Sequence, residues 1–230
     1  MILLIKNNKG GIGKSFLTCQ IAKGLALAEK KVLVLTSDTQ NNVFNMLAKG
    51  ELDKKGLLAS MREKKDYSLK LHNFRFLPLE KTLFVGGFKE KFNNWINGIK
   101  KDYDYIIIDS TPVLNLDKVF IDVADKVIIP VTCDESTFIG TLNIMESIDI
   151  KKILCFIINK YENTKVQKKY RALIEKWTTP DNLFIVKKSS QIEQIIESKK
   201  TVWDYKNKQV EEIQEVFYNV ISKIILESES

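Results

Sequence analysis

Ile2-Leu3-Leu4-Ile5-Lys6-Asn7-Asn8-Lys9-Gly10-Gly11-Ile12-Gly13-Lys14-Ser15 is the stretch on which the reading of this chain turns. An apolar run of strand character breaks into a glycine-rich turn, and a helical pattern follows at once. Ser15–Lys30 sets Phe16, Cys19, Ile21, Ala22, Leu25 and Ala26 near one side. Glycines let a backbone wrap tightly enough for its N–H groups to converge on an anion. The helix behind them adds unpaired N–H groups and the positive end of its dipole. This is the context that a phosphate-binding loop requires. Lys14 is placed to reach the β and γ phosphates of a nucleotide, and the Ser15 hydroxyl to ligate Mg²⁺. The plain spacing G-x-x-x-x-G-K-[ST] fails, because Asn8 stands at its first glycine. The stretch fits instead the variant K-G-G-x-G-K-[ST], with Lys9 as a second lysine.

Further apolar runs follow at Val32–Thr36, Arg75–Leu77, Tyr105–Asp109, Val127–Val131, Ile153–Asn159 and Leu183–Val186. Several are unbroken blocks of Ile, Val and Leu, the mark of parallel strands buried on both faces. Amphipathic stretches lie between them, as in Phe88–Lys100 with Phe92, Trp95, Ile96 and Ile99. Val210–Ile225 repeats Val210, Ile213, Val216, Phe217, Val220, Ile221 and Ile224 at a helical period. The alternation predicts an α/β fold: a twisted, mostly parallel sheet with helices on both faces. No linker, repeat or proline-rich hinge divides the chain, so one domain over residues 1–230 is expected. The polar stretch Gly50–Leu71 reads as a short helix with flanking loops, and the tail Glu227–Ser230 as frayed.

Composition bounds the chemistry. The 230 residues are 44% hydrophobic and 28% charged, ordinary for a globular chain of one domain. No apolar run approaches the roughly 18–20 residues of a membrane-spanning helix. The opening apolar run is too short for a signal peptide, which makes a cytoplasmic location the expectation. Cys19, Cys133 and Cys155 lie far apart, which argues against a disulfide framework or cysteine zinc site. The single histidine, His72, excludes multi-histidine metal centres and reads as a strand-edge residue. Net charge is +7, from 36 Lys+Arg against 29 Asp+Glu. That balance suits a polyanionic partner such as nucleic acid or anionic lipid, and equally a lysine-rich solvated surface.

The loop resembles that of the ParA/MinD group of P-loop ATPases, whose variant carries an extra signature lysine, and the likeness continues along the chain. Thr36-Ser37-Asp38-Thr39-Gln40-Asn41-Asn42 is similar to the family's D-x-D-P-Q-x-N segment, with Thr36 and Thr39 replacing the first aspartate and the proline. Tyr103-Asp104-Tyr105-Ile106-Ile107-Ile108-Asp109-Ser110-Thr111-Pro112 resembles its Walker B strand, and Asp125–Glu135 with Gly140 resembles the strand and helix start that follow. The segment Phe184–Tyr205 echoes the family's final strand and helix. The resemblance implies that Lys9, Gly10, Gly11, Ile12, Gly13, Lys14, Ser15 and Phe16 bind ATP. It implies that Ser15 and, through water, Asp109 hold Mg²⁺, and that Lys9 reaches a partner's phosphates across a nucleotide-sandwich homodimer. Asp109 ends a buried strand where a carboxylate can hold the cation. Asp38 ends another beside the γ-phosphate position and can orient the attacking water. Asn159 lies where the family commonly contacts adenine, and reads almost equally as a plain strand-end residue.

Three classes of function compete. The first is an ATP-driven partition or positioning switch that binds double-stranded DNA without sequence preference, associates with the nucleoid and answers to a centromere-binding, ParB-like adaptor. The second is a MinD-type switch at the membrane, and the third a small-molecule ATP-dependent ligase on the same fold. The second needs an amphipathic anchor at the C-terminus, where Glu211, Glu212, Glu215 and the closing Glu-Ser-Glu-Ser are repelled by anionic lipid; no membrane anchor is evident. The third needs a substrate pocket with its own polar set, and none is legible. For the first, Lys187, Lys188, Lys199 and Lys200 are candidate DNA contacts, with Lys165, Lys168, Lys169 and Arg171 as a second cluster. No recognition helix precedes the loop, which points to a short, plasmid-type partition ATPase.

Overall fold

The computed structural model describes residues 1–53, 55–80, 87–111 and 114–229, excepting the side chains of 114–117. Pro112 of the Walker B-like stretch and Ser230 of the tail lie outside these residues. The strands are β1 (Ile2–Ile5), β2 (Val32–Thr36), β3 (Leu69–Leu71), β4 (Phe74–Leu77), β5 (Tyr105–Asp109), β6 (Lys126–Val131), β7 (Ile153–Tyr161) and β8 (Leu183–Lys187). They form a single sheet in the order β3-β4-β2-β5-β1-β6-β7-β8. All neighbours run parallel except β3 and β4.

The unbroken apolar blocks have the cause expected of them. Leu3 and Ile5 of β1 pack toward one side of the sheet, and Ile2 and Leu4 toward the other, all buried. On the first side lie α1 (Lys14–Leu27), α2 (Asn42–Leu47), α8 (Ser190–Glu197) and α9 (Lys208–Glu229). The opposite side is covered by α3 (Leu57–Glu63), α4 (Phe88–Ile99), α5 (Leu114–Val123), α6 (Glu135–Ser147) and α7 (Lys165–Ile174). The expected α/β architecture is therefore the observed one. All three cysteines are free and buried.

Two local expectations are corrected. Gly50–Leu71 holds its short helix, α3, but ends in β3, a three-residue antiparallel strand too brief to leave a periodic signature. His72 sits in the tight turn after it, with φ +52°. The tail is not frayed through Glu229: α9 continues to that residue, Glu227 pairs with Lys126 at 2.6 Å, and Ser228 meets the Tyr105 hydroxyl at 2.7 Å. The apolar stripe of α9 is spent inside the molecule, with Val210, Phe217, Val220 and Ile224 fully buried.

Candidate functional site

β1 lies between β5 and β6, so the loop after it opens at the carboxyl edge of the sheet where the chain's connections diverge. That is where ligands bind in open α/β sheets. Gly11 and Gly13 have φ of +73° and +95°, left-handed values that a side chain would strain. Gly13 occupies the N-cap of α1 without offering a side-chain acceptor, and no acidic residue stands in the first turn. The leading N–H groups of a long helix and its positive end are thus left for an anion. Lys14, only 8% exposed, donates from Nζ to the Lys9 carbonyl at 2.7 Å within the loop.

Ser15 Oγ donates to Asp109 Oδ2 at 2.6 Å, and Thr18 Oγ1 to Oδ1 at 3.3 Å. Burial pushes the Asp109 carboxyl up to about 6, against the Ser15 hydroxyl, the Lys14 charge and the Thr18 hydroxyl, which favour its ionised form. Ser15 and Asp109 offer a hydroxyl and a carboxylate, hard oxygens suited to Mg²⁺ shared with phosphate and water. Among the described residues no group of three or more His, Cys, Asp or Glu side chains could hold a metal unaided. The pair fits a cation that arrives with a nucleotide.

A cleft of about 480 Å³ lies above the loop, bounded by Gly10, Gly11, Gly13, Lys14, Ser15, Asp38, Asn42, Asn159, Lys160, Lys187 and Lys188, with Met46, Ile192 and Ile196 as an apolar wall. Of the residues expected to bind nucleotide, Gly10, Gly11, Gly13, Lys14, Ser15, Phe16 and Asn159 border this cleft, whereas Lys9 and Ile12 do not. Phe16 also borders the cleft, and its ring is buried edge-on against Phe217. Asp38 is tied into a turn: Oδ1 accepts from the Gln40 N–H at 2.9 Å and Oδ2 from Asn42 Nδ2 at 2.6 Å. Thr36, where the family carries its first aspartate, is buried and accepts the Asp38 N–H at 3.0 Å. Asn159 donates from Nδ2 to the Ile12 carbonyl at 2.7 Å.

Lys9 extends away from Lys14 and pairs with Asp134 at 2.8 Å. Asp134 also caps α6 through the Thr137 N–H. Burial alone raises its carboxyl, but hydrogen bonds from Lys9, Thr132 and Thr137 hold it down at about 2. Sequence reasoning missed Asn7, which is fully buried. Its Nδ2 donates to the Pro130 carbonyl, and its Oδ1 accepts the Lys9 N–H. A polar residue between an apolar strand and a glycine loop was the available signal. Lys160, which donates to the Gly11 carbonyl at 2.8 Å, carried no local signal that set it apart from other surface lysines.

The lysines singled out for DNA divide in two. Lys187 and Lys188 border the cleft and pair with Glu212 at 3.5 Å and Glu162 at 2.9 Å. Lys199 donates to the Asn45 carbonyl, and Lys200 lies over the Tyr205 ring.

Residues 1–160 match the family model AAA_31, an AAA domain. The chain belongs to the ParA/MinD superfamily of P-loop ATPases. It is 28% identical over 157 residues to an uncharacterized ATP-binding protein of Methanocaldococcus jannaschii, the match covering 65% of this chain. It is 28% identical over 167 residues, 66% of this chain, to the chromosome partitioning protein ParA of Myxococcus xanthus. These matches span only 60% and 59% of the relatives' own length. Two solved structures show the same ParA/MinD-like fold. One is a Cyanothece McdA variant in complex with ATP (TM-score 0.79, 20% identity, covering 97% of this chain and 95% of that one). The other is the septum site-determining protein MinD of Pyrococcus horikoshii complexed with Mg-ADP (TM-score 0.75, 18% identity, covering 97% and 95%). Among the described residues no helix is long and apolar enough to cross a membrane.

Proposed function

We propose that this ParA/MinD-type chain is an ATP-driven partition or positioning switch. It binds ATP with Mg²⁺, pairs with a second copy across the nucleotide, binds duplex DNA without sequence preference, and hydrolyses ATP slowly until an adaptor protein stimulates it. The observation that carries the reading is the division of labour between two lysines on one loop. Lys14 is folded into the loop that would surround the phosphates, whereas Lys9 points outward to a half-exposed carboxylate, Asp134. A surface ion pair of this kind contributes at most about 1 kcal/mol, so Lys9 can be recruited by a phosphate on a partner molecule. Mg²⁺, when bound, neutralises charge on the phosphates; Ser15 and Asp109 would hold it.

Sedimentation velocity with ATP and Mg²⁺, against ADP, tests the switch. ATP should shift the population from monomer to dimer, because it alone supplies the γ-phosphate that joins the two copies. Lys14→Ala should lose nucleotide binding, and Lys9→Ala should bind ATP yet stay monomeric. Equal dimerisation of Lys9→Ala would remove the cross-subunit role. Retention on anionic vesicles in place of DNA would turn the reading toward a MinD-type membrane switch.

A further inference from the structure

Lys9 is held at three points. Its N–H donates to Oδ1 of the buried Asn7 at 2.9 Å, its carbonyl accepts from Lys14 Nζ at 2.7 Å, and its ammonium donates to Asp134 Oδ1 at 2.8 Å. Asp134 lies in the connection from β6 to α6 and is itself fixed. Oδ1 also accepts the Thr137 N–H at 2.9 Å, and Oδ2 accepts the hydroxyls of Thr132 and Thr137. Asn7 ties that connection to the glycine loop, donating from Nδ2 to the Pro130 carbonyl at 2.7 Å and to Thr141 Oγ1 at 3.3 Å. The acceptor of the Lys9 ammonium is thus placed by a network of five side chains on two elements. Neither Lys9 nor Asp134 borders the cleft of its own chain.

We propose that Asp134 is a positioning residue that holds Lys9 in the monomer and competes for it with the phosphate of a second copy. The inference rests on the nucleotide-sandwich reading given above and names what restrains the dimer. Two releases are needed, and they fall in order. A phosphate in the loop draws the Lys14 ammonium to itself and frees the Lys9 carbonyl, a step that ATP and ADP both supply. The Lys9 ammonium then exchanges the Asp134 carboxylate for the γ-phosphate on the second copy, which ATP alone supplies. The two side chains are 38% and 40% exposed. Breaking an ion pair as exposed as this shifts an equilibrium by about 1.4- to fivefold. One dimer breaks two such pairs, so the restraint amounts to about two- to thirtyfold. That is enough to bias the monomer and too little to lock it.

Asp134→Asn and Asp134→Ser remove the charge that holds Lys9 and keep an acceptor for the Thr137 N–H, since Asn and Ser are favoured helix caps. Sedimentation velocity with MgATP over a range of protein concentrations gives the dimer dissociation constant. It should fall about two- to thirtyfold in both variants relative to the unchanged protein. Loosening of the α6 cap alone gives no such tightening, so the direction of the change separates the restraint from a purely structural role. Lys9→Ala combined with Asp134→Asn should stay monomeric. Dimerisation of that double variant would mean that Asp134 repels phosphate and does not act through Lys9, which would overturn the proposal. An unchanged or raised dissociation constant in both single variants would overturn it as well, while leaving the sandwich dimer of the unchanged protein intact. If neither the unchanged protein nor the variants dimerise with ATP, the sandwich reading fails and the restraint with it. An unchanged protein that stays monomeric beside variants that dimerise supports both.

Discussion

Asp38 stands both in a turn and at the edge of the cleft. Its two carboxylate oxygens take the Gln40 N–H and the Asn42 amide, which bends the chain from β2 into α2, while the same carboxylate borders the cleft. Asp38→Asn keeps an acceptor for the Gln40 N–H and removes the negative charge. It should therefore fold like the parent, bind ATP and form the ATP dimer, since the loop amides, Lys14 and Lys9 are untouched. What it should lose is the group that orients water in line with the β–γ bond, an alignment worth several kcal/mol of barrier. Single-turnover phosphate release, with DNA and adaptor present, should fall at least tenfold. Unchanged release would leave Asp38 a turn residue, and the water would need another orienting group.

Among elements, one tie between α1 and the rest of its layer is polar. Lys23 of α1 is buried and donates to Asp204 at 2.5 Å, while His72 Nδ1 lies 3.1 Å from the same ammonium. Asp204 precedes α9 and His72 turns β3 into β4, so one lysine joins three segments far apart in sequence. Burial alone raises the Asp204 carboxyl, but hydrogen bonds from Lys23 and from the N–H and hydroxyl of Thr201 hold it below the ordinary aspartate value. A carboxylate depressed in the folded state stabilises above its unfolded value, about pH 4, and loses that contribution as pH falls through the folded one. Asp204→Ala should cost about 2 kcal/mol at pH 7, the scale of a hydrogen bond to a charged group. In urea unfolding, the gap between parent and variant should narrow steadily below about pH 4. A gap independent of pH would mean that packing, and not the ion pair, holds the joint.

At the scale of the molecule, the net charge of +7 includes lysines that stand in different places. Lys187 and Lys188 border the nucleotide cleft, whereas Lys199 and Lys200 follow the other end of α8. Reversing the first pair to Glu should weaken nucleotide and DNA together. Reversing Lys199 and Lys200 should weaken DNA alone, equally for all sequences, and flatten the salt dependence by about 0.9 in log K per log[salt] for each phosphate no longer neutralised. Filter binding at graded salt, with nucleotide affinity measured in parallel, separates the two. Equal loss of nucleotide affinity in both double variants would place all four lysines in a single electrostatic field around the cleft.

Local information was enough for the parallel strands, the glycine loop between β1 and α1 and the carboxylate at the end of β5. Each is written in contiguous residues whose burial or backbone freedom follows from their type: apolar blocks, glycines at left-handed turns, an aspartate ending an apolar run. Four features could not be read this way, because each depends on how one segment meets another. The strand Leu69–Leu71 exists by pairing with Phe74–Leu77, and the last turns of α9 are ordered by Lys126 and Tyr105. The direction taken by Lys9 is set by Asp134, 125 residues away. Asn159 and Lys160 looked like a strand end and a surface charge, and only the register shift in β7 turns both onto the loop. Sequence determines which groups a segment can offer; packing between segments decides where those groups point, because hydrogen bonds and ion pairs need a partner within about 3 Å that local pattern does not encode.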